Sequence, residues 1–144
     1  MKVLVDLNVL LDVVLDRPPY VRASSQCLGR IVSLRGLKGY VSQHAVTTFF
    51  YIVRKQAGLE RARLAVRKVL AMLAVLPATK DVLVAATDEA YPDYEDAVTF
   101  LSAAAERCDL IVTRNPKDFA SSLVPVQTPE QFLAAAAAST AHRM

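Results

Sequence analysis

Three short polar stretches carry the residue types that could do chemistry. The first is Asp6-Leu7-Asn8, with Asp12 shortly after it. The second is Asp93-Tyr94-Glu95-Asp96, and the third is Thr113-Arg114-Asn115-Pro116-Lys117-Asp118. Carboxylates from separate elements that meet at one place repel each other, and their pKa values rise unless a cation sits between them. Hard oxygen ligands of this kind suit Mg²⁺ or Mn²⁺, with waters completing the octahedron. A cation held in this way can activate water and stabilise the charge of an in-line phosphoryl displacement. Each acid also has a plainer use. Asp6 or Asn8 can cap a following helix, and so can Asp93. Asp96, one turn in, is favoured by the helix dipole, and Asp118 can cap a short turn or pair with Arg114 or Lys117.

Other chemistries find less support. His44 and His142 have no companions at metal-ligand spacing and read as structural or exposed residues. No nucleophilic Ser or Cys triad is recognisable, and four glycines form no phosphate-cradling loop. Asp6-Leu7-Asn8 lacks the second carboxylate of an Asp-x-Asp phosphatase pattern, and no lysine follows a late strand as in receiver domains. Cys27 and Cys108 are too few for a disulfide framework or a zinc site and read as small core residues.

The elements that must position these stretches alternate between strand and helix. Val3-Leu4-Val5 is a short buried strand ending on Asp6, and Val9-Leu10-Leu11 begins the helix after it. Arg17-Pro18-Pro19 breaks the chain, and a helix follows from about Tyr20 to Leu34. Tyr40-Val41-Ser42 is a strand, and Ser42 is placed to cap a helix that runs to Gly58. The next helix, Leu59 to about Leu73, is expected to turn Leu64, Val66, Val69, Leu70 and Leu73 inward and Arg63 and Arg67 outward. Val75-Leu76 is a third strand. Asp81 opens a short helix to about Ala90, and Pro92-Asp93 starts one that reaches Arg107. Leu110 to Thr113 is the second clear buried strand. Val124-Pro125-Val126 reads as an edge strand, since proline cannot donate within a sheet interior. Thr128-Pro129-Glu130 starts the last helix. This alternation gives an α/β fold with a mainly parallel sheet, whose ligands belong at the carboxyl ends of the strands.

Length and charge bound the function. A chain of 144 residues forms one domain, taken as residues 1–133, with an Ala-rich helix end and frayed tail over 134–144. It is 53% hydrophobic, which suits strands covered on both faces. No apolar run reaches the roughly 18 residues of a membrane span. Asp6 and Asp12 interrupt any signal-peptide core, so a cytoplasmic protein is expected. From Arg17 to Lys80 there are 12 bases and one acid, Glu60, whereas Asp81 to Asp118 holds nine acids and three bases. Solvated helix faces explain part of this split. A basic half also suits phosphate backbones, and a group of acids suits a divalent cation.

The three stretches, in this order, resemble the PIN domain family. Asp6-Leu7-Asn8-Val9-Leu10-Leu11-Asp12 resembles its opening Asp-Thr-Asn-hydrophobic-hydrophobic-hydrophobic-Asp. Asp93-Tyr94-Glu95-Asp96-Ala97 resembles its central acidic segment, and Thr113-Arg114-Asn115-Pro116-Lys117-Asp118-Phe119 its late Thr-Arg-Asn-x-x-Asp-Phe signature. The resemblance implies a three-layer α/β/α sandwich that cuts RNA with Mg²⁺ or Mn²⁺. Small bacterial members like this one are often VapC-like toxins, inhibited by a cognate antitoxin and frequently homodimeric.

Residue by residue, the resemblance makes Asp6 the first acidic ligand and Asp96 the third. Asn115 or Asp118 occupies the region of the fourth. The second acid falls on Thr48, with no carboxylate nearby, and Leu7 replaces the usual Thr. The implied site is therefore Asp6, Asp96 and Asp118 on the metal, with Asn115 completing the catalytic group. Asn8, Asp12, Thr48, Asp93 and Thr113 would surround it; Asp12 could instead pair with Arg17. Arg54, Lys55 and Arg114 are the bases expected to grip RNA. The missing acid also favours a different reading, a PIN-like domain that binds RNA or a protein partner without cutting.

Overall fold

The computed structural model describes residues 1–139 in full and residues 140–143 as backbone at the end of the last helix. In chain order the elements are β1 (Lys2–Val5), α1 (Leu7–Val14), α2 (Val21–Ser33), β2 (Lys38–Ser42), α3 (Gln43–Ala57), α4 (Leu59–Met72) and β3 (Ala74–Leu76). Then come α5 (Lys80–Ala85), α6 (Tyr94–Ala105), β4 (Leu110–Val112), a 3₁₀ turn (Pro116–Phe119), β5 (Val126–Gln127) and α7 (Pro129–Arg143). The strands form one sheet in the order β3-β2-β1-β4-β5, and every neighbouring pair is parallel.

Successive strand residues point to opposite faces, and both faces are covered. Val3 and Val5 pack with Val41 and Val112 against apolar residues of α1, α2, α3, α4 and α7. Leu4, Tyr40 and Ile111 face the other way, against Val82 of α5 and Ala97, Val98, Phe100 and Ala103 of α6. The result is the expected α/β/α sandwich. Among the described residues no helix is long and apolar enough to cross a membrane.

Several local expectations are corrected. α4 buries Ala62, Ala65 and Val69, with Leu73 following, while Leu64 and Leu70 stay about half exposed. Small alanines on the buried face let α3 and α4 pack closely, and a reading weighted by side-chain size favours the larger leucines. β5 lies at the sheet edge as expected but begins two residues later and ends one later, because Ile111 N–H donates to the Pro125 carbonyl and Thr113 N–H to that of Gln127. Val124 instead drops into the core. α5 ends at Ala85, short of Ala90. Ser42 precedes α3 but makes no side-chain cap bond.

Other details follow the residue types. Thr128 Oγ1 accepts from Gln131 N–H at 3.1 Å, and Gln131 Oε1 accepts from Thr128 N–H at 2.9 Å. This reciprocal box opens α7. Gly39 in β2 is required by close approach, since a Cβ there would lie 2.6 Å from Leu73 Cδ2 and 2.7 Å from Ile31 Cγ2. The expectations for His142 and for a frayed end beyond Ser139 concern residues outside those described in full.

Candidate active site

The strand order reverses between β1 and β4, which is where ligands bind in open parallel sheets. Val5 pairs with Val112, so Asp6 and Thr113 leave the sheet side by side. Asp6 occupies the position before α1 yet makes no side-chain cap bond. Its carboxylate accepts a hydrogen bond from Thr113 Oγ1 at 2.8 Å. Asn115 N–H donates to the same hydroxyl oxygen at 3.2 Å, which leaves the hydroxyl hydrogen for Asp6. Asp6 is only 8% exposed. Burial raises its pKa, the Thr113 bond offsets part of the rise, and the charge of Asp118 adds to it.

The start of α6 supplies the second carboxylate. Asp93 accepts from Asp96 N–H at 2.9 Å, so Asp93 is a helix cap. Asp96 is pushed up to about 7, first by burial and then by the charges of Asp93, Asp6, Asp118 and Glu95. Asp6, Leu7, His44, Ala45, Thr48, Glu95, Asp96 and Thr99 line a cavity of about 30 Å³. That is room for a water or two. Larger depressions of about 470 and 290 Å³ lie elsewhere and are lined by no carboxylate, so size does not mark the chemistry here.

Asp118 is exposed on the 3₁₀ turn and makes no ion pair with Arg114 or Lys117. The turn is pinned by Phe119, whose ring packs edge-on to Phe100 of α6 at 6.1 Å. Asn115 heads the turn, half-buried, without a side-chain cap bond. Among the described residues no three His, Cys, Asp or Glu side chains form a closed metal cage. The donor set nevertheless suits Mg²⁺ or Mn²⁺. Such ions take one or two carboxylates and keep several waters, and here Asp6 and Asp96 face a water-sized space, burial raises the pKa of both, and the charge of Asp6 adds to the rise at Asp96.

The remaining expected residues are distributed more widely. Thr48 lines the cavity, but its hydroxyl donates to the His44 carbonyl at 3.2 Å. Asn8 is half-buried in the first turn of α1 and does not line the cavity. Asp12 is fully buried and pairs with Arg114, not with Arg17; Arg114 Nε lies 2.9 Å from Asp12 Oδ2. The Arg114 guanidinium, partly exposed, also stacks over the exposed Tyr20 ring at 4.1 Å, so the base expected to meet RNA has partners within the chain as well. Arg54 and Lys55 are exposed in the last turn of α3, roughly 15 Å along the helix axis from His44.

Three polar lining residues were not anticipated as part of the site: His44, Glu95 and Thr99. His44 Nε2 is 3.2 Å from Thr99 Oγ1. The available signal was helical spacing, since His44 is four residues before Thr48 and Thr99 three after Asp96.

Comparison with known proteins agrees with this architecture. The chain is 29% identical to a curated relative, Ribonuclease VapC1 of Aquifex aeolicus, over 136 residues covering 91% of this chain and 92% of the relative. Its fold is similar to that of VapC20 of Mycobacterium tuberculosis, a toxin that cleaves the sarcin–ricin loop, with a TM-score of 0.69 and 14% identity over 85% of this chain and 96% of that one. A toxin–antitoxin complex from Klebsiella pneumoniae is similar at a TM-score of 0.65 and 25% identity, over 88% of this chain and 97% of the other. The sequence profile of the PIN domain matches residues 2–117. That match spans the Asp6 segment, the start of α6 and the stretch through Lys117, and the chain belongs to the PIN domain family.

Proposed function

We propose that this chain is a metal-dependent endoribonuclease of the VapC type, hydrolysing RNA phosphodiester bonds as the toxin of a toxin–antitoxin pair. The observation that carries this reading is the Asp6 and Asp96 pair, raised in pKa and facing one water-sized cavity at the β1–β4 switch point. When bound, Mg²⁺ or Mn²⁺ supplies an activated water and neutralises charge on the phosphoryl group. Asp6 and Asp96 would hold the ion, with Asp118 and Asn115 of the neighbouring turn as further ligands, partly through water. Thr113 keeps the Asp6 carboxylate oriented. The names of the relatives, a ribonuclease and a toxin–antitoxin complex, support both the substrate class and an antitoxin partner.

Lys55 lies seven residues after Thr48, on the same row of α3 and about 10 Å further along its axis. RNA leaving the cavity along α3 would meet Lys55 and Arg54, whose phosphate contacts would make binding salt-dependent. A homodimer is part of this reading and is checked by sedimentation.

The test compares wild-type protein with Asp6→Asn, both prepared identically and supplied with Mn²⁺ and RNA. Cleavage by the wild type alone is expected. Equal cleavage by both would assign the activity to a contaminant. A second reading, RNA or protein binding without cutting, draws on the absence of an acid at Thr48. It stands alone if titration calorimetry finds no Mn²⁺ binding at millimolar concentration.

A further inference from the structure

His44 is held in a way that the site described so far does not use. Thr99 Oγ1 lies 3.0 Å from the Glu95 carbonyl oxygen and 3.2 Å from His44 Nε2. A carbonyl can only accept, so the single hydroxyl hydrogen of Thr99 goes to Glu95. His44 must then donate through Nε2–H, and in a neutral imidazole this leaves Nδ1 with a lone pair. Burial, which lowers the His44 pKa, favours that neutral form.

Nδ1 is buried and has no hydrogen-bond partner in the protein. A buried acceptor of this kind takes a water when no protein group reaches it. The cavity that His44 lines is large enough for one. His44 is also one helical turn before Thr48, on the same face of α3, and the two are tied by the Thr48 hydroxyl bond to the His44 carbonyl.

We propose that His44 stands in for the carboxylate missing at Thr48, its Nδ1 lone pair holding a water in the cavity lined by Asp6 and Asp96. His44 is then a positioning residue that brings an acceptor without adding charge. This rests on the metal reading above, because the held water belongs to the shell of the ion.

Two substitutions separate this role from simple support of Thr99. His44→Asn keeps a side-chain oxygen where Nδ1 stood, and His44→Gln keeps an amide N–H where Nε2 stood. Calorimetric titration with Mn²⁺ should find His44→Asn within about threefold of wild type and His44→Gln about tenfold weaker, the low end of losses for residues that orient metal shells. The reverse order, or equal affinities, overturns the proposal. Wild-type binding that is lost in Asp6→Asn yet unchanged in both His44 variants overturns it while leaving the metal reading intact. A wild type that binds no Mn²⁺ overturns both. Nitrogen NMR of ¹⁵N-histidine in the wild type needs no variant to fold. It should show the Nε2–H tautomer and a Nδ1 signal that moves on adding Mg²⁺, and a Nδ1–H tautomer or an unmoved signal overturns the proposal.

Discussion

The Thr113 hydroxyl donates to the Asp6 carboxylate at 2.8 Å, joining residues 107 positions apart at the ends of two neighbouring strands. Thr113→Val keeps the side-chain shape and removes the donor. It leaves a buried carboxylate and the Asn115 N–H each short of a partner, a loss of about 1–3 kcal/mol. Urea unfolding should show that loss, and Mn²⁺ affinity should fall with it because Asp6 is harder to ionise. Unchanged stability and affinity would mean that Thr113 only fills space.

Asp96 gives the metal-free protein a recognisable pH dependence. Its folded pKa of about 7 stands above the ordinary 3.8, so the fold favours the protonated acid. The stability it contributes is full at low pH and is lost as pH rises through about 7. Melting curves in a chelator should therefore decline across this window, and Asp96→Asn should flatten the decline. Added Mn²⁺ should reverse the slope, because the metal requires the ionised carboxylate. Parallel declines in wild type and variant would contradict this.

The Asp12–Arg114 pair makes a separate prediction about stability. Arg114→Met leaves Asp12, at 0% exposure, without its counter-charge. Breaking a buried pair in this way costs about 3–5 kcal/mol. Asp12→Leu combined with Arg114→Met should recover most of the loss in denaturant unfolding. A single variant as stable as wild type would show that the pair carries no weight.

Gly39→Ala tests the fit between β2 and the helices above it. The new methyl would collide with Leu73 and Ile31, and overpacking of this kind destabilises by about 1–3 kcal/mol. Adding Leu73→Val should relieve part of the loss. A fully tolerated Gly39→Ala would show that these side chains can move aside.

What was legible in the sequence follows from locality. β1 and β4 are short uninterrupted apolar runs, each ending on a polar residue, so both strands and the placement of Asp6 and Thr113 could be read directly. The α7 cap is equally local, contained in Thr128 to Gln131. The buried face of α4 departs from the expectation because Ala62 and Ala65, two of its three buried residues, carry little hydrophobic signal. The partner of Asp12 is a residue on the far side of the sequence, and Arg17 was the nearer candidate. His44 was passed over for the same reason. Its partner Thr99 is 55 residues away, and only the folded chain brings the two to one cavity.

The crossover from β3 back past β1 to β4 also fixes when the site can exist. A growing chain that has been synthesised only through α5 already carries Asp6 and Thr48, but neither Asp96 nor Thr113 has yet been made. The pair that would grip a metal is completed only with α6, and the hydroxyl that orients it only with the end of β4. Synthesis from the amino end thus delivers half of the centre early and withholds the other half until late, so a chain that has not yet reached the end of β4 has no complete centre with which to attack RNA near its place of birth.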